Sequence, residues 1–250
     1  MSRKSVLTVT ALAAGALGLA GCGDDEETAT PGDLPQGSEE VSLDPSEFTT
    51  EIDNRYWPMA VGSKWVYRET DSDGAEQKVV VTVTDRTKQV ANGIEARVVH
   101  DVVTEDGEFV EVTDDWYAQD ADGNVWYLGE DTTEYENGKP VSKAGSFEAG
   151  VDGAQPGIIM PADPEPGTTY RQEYYAGEAE DLGEIVLAGE QAEVPAGHYE
   201  DVLVTKDTNP LEPKVLEFKF YAPGVGPVLA ASVSGSSDRE ELLRFEPGSG

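Results

Sequence analysis

Lys78-Val79-Val80-Val81-Thr82-Val83-Thr84 places Val79, Val81 and Val83 on one side of an extended chain. Side chains alternate across a strand, so this run reads as a half-buried β-strand with those three valines on its dry face. Val215-Leu216-Glu217-Phe218-Lys219-Phe220 repeats the pattern. Leu216, Phe218 and Phe220 share one face, and Glu217 and Lys219 the other. The face carrying the phenylalanines is expected to be the dry one. Around these runs stand six Asn-Gly or Asp-Gly pairs: Asp73-Gly74, Asn92-Gly93, Asp106-Gly107, Asp122-Gly123, Asn137-Gly138 and Asp152-Gly153. Such pairs supply the positive φ that tight hairpin turns require. No long stretch after residue 52 carries a 3.6-residue apolar period. The sequence therefore predicts an all-β, antiparallel fold: a curved sheet, half-barrel or barrel, because closure protects strand edges.

Two segments of this β region match each other in spacing. Gly62 to Gly93 is 31 residues and Gly167 to Gly197 is 30, while Gly93 to Tyr117 and Gly197 to Tyr221 are both 24. This predicts two related β units, about 56–147 and 159–245, sharing one core within a single body, 53–250. The join between them, 148–167, reads as a Pro/Gly-rich loop whose Ile158, Ile159 and Met160 plug that core.

Composition removes several function classes. With 17 Lys+Arg against 50 Asp+Glu, the chain carries a formal charge of −33 and offers no basic face for nucleic acid. One Cys excludes an intrachain disulfide, and Cys22, His100 and His198 cannot assemble a zinc site. Residues 23–52 contain ten acids and no base, amid Gly, Pro, Ser and Thr. Such a segment buries too little apolar surface to offset its ordering entropy, so 22–52 is expected to be a disordered acidic linker holding the body off a membrane.

The N-terminus has Arg3 and Lys4 before an apolar run, Val6 to Leu19, which is shorter than the about 20 residues a spanning helix needs. Residues 1–21 read as a signal peptide. Its end, Leu19-Ala20-Gly21-Cys22, resembles the bacterial lipobox. That resemblance implies cleavage before Cys22 and diacylation of its thiol, placing the protein at the cell membrane on the extracytoplasmic face. Three further segments resemble a family of uncharacterised bacterial secreted proteins and lipoproteins. They are Tyr56-Trp57-Pro58 with Gly62-Ser63-Lys64-Trp65-Val66-Tyr67, Trp116-Tyr117-Ala118-Gln119-Asp120 with Gly123-Asn124-Val125-Trp126-Tyr127, and Tyr221-Ala222-Pro223-Gly224-Val225-Gly226. The family implies β-rich envelope architecture and no established activity.

Candidate sites are few. No Gly-x-Ser-x-Gly elbow accompanies His100 or His198, and both histidines read as structural. Asp114-Asp115 beside Trp116-Tyr117 is the most suggestive carboxylate cluster for a hydrolase of cell-wall glycans. Adjacent strand residues, however, face opposite ways. Asp120, Asp122 and Asn124 alternate oxygen side chains in one turn, which suits calcium. Val125 and Asp131 stand where an EF-hand needs Gly and Glu, so a plain Asx turn explains the run more simply. Trp57, Trp65, Trp116 and Trp126 all fall in the first unit and would line a ligand cavity if they face inward together. The function expected from these features is non-catalytic: binding of a lipid, a glycan or an envelope protein. A carboxylate-dependent hydrolase and a purely structural envelope component are the alternatives.

Overall fold

The computed structural model describes residues 34–249. The signal segment, the lipobox residues Leu19, Ala20 and Gly21, the acceptor Cys22 and residues 23–33 lie outside the described residues. After a single 3-10 turn, Pro45–Glu47, come sixteen strands. They are β1 (Phe48–Thr49), β2 (Lys64–Thr70), β3 (Glu76–Gln89), β4 (Glu95–Glu105), β5 (Glu108–Asp120), β6 (Val125–Glu136), β7 (Lys139–Ser142) and β8 (Phe147–Glu148). The second half holds β9 (Gln155–Met160), β10 (Thr169–Arg171), β11 (Glu173–Tyr174), β12 (Leu182–Val194), β13 (Gly197–Thr208), β14 (Leu216–Ala222), β15 (Gly226–Ser234) and β16 (Arg239–Glu246).

All pairings are antiparallel, and the spatial order is β10-β12-β13-β14-β15-β16-β2-β3-β4-β5-β6-β9-β11. Its two ends, β10 and β11, are separated only by Gln172. One short stretch of chain thus pairs with β12 on one side and β9 on the other, and the sheet is a barrel closed except for that seam. The all-β antiparallel expectation holds. Within 56–147, β2 to β6 lie side by side in chain order, and within 159–245, β10, β12, β13, β14 and β15 do the same.

Turn chemistry explains the hairpins. Both residues of Asp106-Gly107, Asn137-Gly138 and Asp152-Gly153 have positive φ, 51–52° at the first and 73–88° at the glycine, as a type I′ turn demands. In Asp73-Gly74, Asn92-Gly93 and Asp122-Gly123 only the glycine does.

Three local expectations give way. Residues 34–52 are not free of the body: Ile52 is buried, and Leu34, Val41, Leu43 and Phe48 pack against the core. The fully buried Arg171 donates to the carbonyls of Gly37 and Glu39 (2.8 Å for the latter), and its amide donates to the Pro35 carbonyl at 2.6 Å. Backbone carbonyls make part of this attachment, and a count of side-chain types does not register them. Secondly, residues 155–160 form strand β9 rather than a loop, with Ile158 and Met160 fully buried. Thirdly, on β14 the inward face is Glu217, Lys219 and Tyr221. Lys219 and Tyr221 line an interior chamber, and Phe218 and Phe220 occupy the other side of the strand.

Candidate functional site: an acid-lined chamber

The inward rows of the strands follow from their register. Trp65, Tyr67 and Glu69 of β2 face inward with Val79 and Val81 of β3, Val99 and Asp101 of β4, and Glu111, Asp115 and Tyr117 of β5. The rows are largely aromatic or aliphatic in the middle of the barrel, and those of β2, β4 and β5 include the carboxylates Glu69, Asp101, Glu111 and Asp115. Glu240 of β16 and Glu217 with Lys219 of β14 add to these charged groups.

A chamber of about 190 Å³ lies among these rows. Trp57, Trp65, Tyr67, Tyr117 and Tyr221 form its aromatic walls, and Asp101, Asp115, Glu240 and Lys219 supply its charged groups. Trp57 packs against Tyr117 at 5.7 Å and Tyr221 at 5.9 Å between ring centroids. Trp65 is pinned by donation from Nε1 to the Val225 carbonyl at 2.8 Å. Two of the lining residues carry a polar atom that is closed off from solvent and has no hydrogen-bond partner among the described residues, Trp57 Nε1 and Asp101 Oδ1.

Electrostatics follow from burial and crowding of like charges. Burial, with Glu240 and Glu111 adding repulsion, pushes the Asp101 carboxyl up to about 8. Burial and the neighbouring Glu69 push Glu240 up to about 8, against the pull of Lys219. Asp115 is raised well above the usual carboxylate range, by burial and then by Glu130 and Asp101. Desolvation pulls the Lys219 ammonium down, but Asp207 at 3.0 Å and Glu217 at 3.4 Å outweigh it and hold its pKa well above the ordinary lysine value. Next to the chamber, the Tyr127 hydroxyl stands 2.8 Å from Asp115 Oδ1 and 2.7 Å from Glu130 Oε2. One hydroxyl proton serves one acceptor, so the other contact is made when a carboxyl carries its own proton and donates.

The tryptophans divide. Trp57 and Trp65 line the chamber; Trp116 and Trp126 do not. Asp115 and Tyr117 face inward, which turns Trp116 to the outer side, under the Lys88 ammonium at 4.2 Å. Trp126 alternates in the same way with Tyr127, which stacks on Tyr117 at 4.9 Å. Its Nε1 donates to Asp120 Oδ2 at 2.7 Å, and Phe48 covers its ring edge-on. The pair Asp114-Asp115 is split likewise. Asp114 lies outside, bound by Arg86 through two bonds of 2.8 and 2.7 Å and by His100 Nδ1 at 2.7 Å. His198 is exposed at the tip between β12 and β13.

In the proposed calcium turn, the Asp120 carboxylate already accepts four donors: the amides of Asp122 and Asn124, Asn124 Nδ2 and Trp126 Nε1. Asn124 Oδ1 accepts from the Ala162 amide at 2.9 Å. The turn is held by its own hydrogen bonds. Among the described residues no group of three or more His, Cys, Asp and Glu is disposed to hold a metal ion.

Asp101, Glu240 and Lys219 were not among the residues singled out from the sequence. A signal for Asp101 was present: it shares parity with Val99 and Val103, an acid interrupting an apolar row. Glu69 interrupts the Trp65-Tyr67 row in the same way.

No protein-family model matches the chain, and no curated protein does. Among solved structures, a chain provisionally assigned as a lipoprotein from Parabacteroides distasonis is similar at 13% identity, covering 77% of this chain and 99% of that one with a TM-score of 0.42.

Proposed function

We propose that the protein is a lipid-anchored, extracytoplasmic binding barrel that holds a ligand or the contact group of an envelope partner in its chamber and performs no chemistry on it. The observation that carries the binding reading is the chamber itself, with aromatic walls and Asp101, Asp115, Glu240 and Lys219 among its lining. The anchor rests on the lone Cys22 after Leu19-Ala20-Gly21. Native mass spectrometry of the full chain, purified in detergent from a bacterial host, tests the binding reading. An adduct released on denaturation supports it, and a bare mass that stays bare after incubation with envelope extract overturns it. Labelled palmitate incorporated by the native chain and not by Cys22→Ser supports the anchor.

One observation favours the hydrolase as a second reading. Asp115 and Glu130, bridged by the Tyr127 hydroxyl, form a half-buried carboxyl pair of the kind that shares a proton. Release of reducing sugar from cell-wall glycan, lost in both Asp115→Asn and Glu130→Gln, would favour that reading over binding alone. A structural envelope component would give neither adduct nor product.

A further inference from the structure

Building on the anchored-barrel reading, we infer that residues 34–39 are a latch: with Arg171 as its catch, they and the seam strands β10 and β11 open together, ahead of the rest of the sheet. The barrel has least to hold it at the seam. β10 has three residues and β11 two, and β10 makes no ladder with β9 across the gap. Arg171 spans that gap instead. Tyr170 belongs to the core, so the next side chain, Arg171, points to the outside of the barrel. It is nevertheless fully buried, because residues 34–39 lie over it. Its Nη2 and Nε donate to the Pro156 carbonyl of β9 at 2.8 and 3.2 Å, and its Nη1 donates to the carbonyls of Gly37 and Glu39. One guanidinium thus ties β10, β9 and the N-terminal segment together.

The two holds depend on each other. While 34–39 stays down, water is kept from the guanidinium and its bonds to Pro156 keep their strength. Once the segment lifts, water competes for the same donors, and a bond that water can replace contributes little. Movement of Arg171 out of the seam, in turn, strips Gly37 and Glu39 of their donor. Leu34 and the buried Pro35 apart, the segment's grip is polar. The Pro35 carbonyl accepts from the Arg171 amide, Gln36 Nε2 donates to the Thr169 carbonyl at 2.6 Å, and Thr169 Oγ1 donates to Gln36 Oε1 at 2.7 Å. Gln36 and Ser38 are exposed. Segments with few apolar contacts and solvent-exposed hydrogen bonds open at the low end of a protein's stability range. Release stays local, because further along the chain β1 pairs with β5 and Ile52 is buried. Leu34 follows Cys22 by twelve positions. A pull on an anchored Cys22 therefore reaches 34–39 before any other described residue. Arg171 passes it to β9, whose Ile159 lines the chamber.

Hydrogen exchange of the full chain in detergent, read by mass spectrometry, tests the latch. Peptides covering 34–39 and 169–175 should share one protection factor, at least about tenfold below that of β3 to β5. Arg171→Lys keeps the charge and loses the fork that reaches both partners. It should lower protection about tenfold in both segments and leave β3 to β5 unchanged. Gln36→Ala alters an exposed side chain of the segment alone, so the barrel still folds, and both segments should lose protection several-fold. Unequal protection of the two segments, a loss confined to 34–39 in Gln36→Ala, or a uniform loss across the barrel in Arg171→Lys overturns the inference. Coupled exchange in a chain that takes up neither palmitate nor adduct leaves the latch standing and overturns the proposed function. An adduct in a chain whose two segments exchange independently does the reverse.

Discussion

Replacing Asp101 by Asn should stabilise the barrel more at pH 7 than at pH 5. The folded chain holds the Asp101 proton up to about pH 8, because the chamber desolvates the carboxyl and crowds it with Glu240 and Glu111. An unfolded chain releases it near pH 3.9. Between these values the folded state binds more protons than the unfolded state, so stability from this group is greatest at low pH and falls as pH rises toward 8. For an isolated group the penalty grows by about 2.7 kcal/mol from pH 5 to pH 7, at 1.36 kcal/mol per pH unit over the two units. The chamber admits solvent and its carboxyls titrate together, so about 1–2 kcal/mol is the working expectation. Asn keeps the shape and has no proton to lose. The assay is urea unfolding of the full chain and of Asp101→Asn in detergent at pH 5 and pH 7, followed by tryptophan fluorescence. The wild-type midpoint should fall with pH, and the variant should gain about 1–2 kcal/mol relative to wild type over that interval. Parallel pH dependence in the two proteins would refute the argument, because it would mean Asp101 ionises freely.

Arg171→Ala removes a buried guanidinium that binds the carbonyls of Gly37, Glu39 and Pro156. It should cost about 3 kcal/mol and expose Glu39 and Glu40 to a Glu-specific protease, read by limited proteolysis. Gly157→Ala puts a methyl 2.6 Å from the Arg171 carbonyl and closer still to that of Gln172, at the seam. A loss of at least about 3 kcal/mol is expected in thermal unfolding, whereas Gly74→Ala, with open space around its Cβ, should lose less. With 40 acids against 15 bases after residue 52, self-repulsion should make the melting temperature rise from low to high salt.

The strands and their turns were legible because each depends on local chemistry: β-branched alternation for Val79, Val81 and Val83, and positive φ at Asp-Gly and Asn-Gly pairs. The inward face of β14 was not. In a barrel whose interior includes charged side chains, alternation identifies two faces but not which is inside, and Lys219 faces inward because Asp207 and Glu217 are there to receive it. Those partners come from β13 and from β14 itself, and only the register brings Asp207 alongside. Trp116 and Trp126 were grouped with Trp57 and Trp65 by abundance in one segment. Parity within β5 and β6 separates them, and the inward parity becomes plain once Asp115 and Tyr127 are placed. The attachment of 34–52 escaped because its few apolar residues, Leu34, Val41, Leu43, Phe48 and Ile52, are scattered among acids, and the rest of its hold runs through backbone carbonyls and the distant Arg171.

The pairing of β16 with β2 has a kinetic consequence. Leu242 lies opposite Tyr67, so the contact that joins the two halves brings together residues 175 positions apart. Loop-closure entropy makes such long-range pairing late and slow compared with the hairpins between neighbouring strands. A nascent chain can form its hairpins as they emerge, but it cannot complete the ring until Arg239–Glu246 has been made. Until then β2 and β15 remain unpaired edges, open to strands of other chains. The interval from the formation of the β2–β3 hairpin to the arrival of β16 is therefore when this protein most needs protection from aggregation.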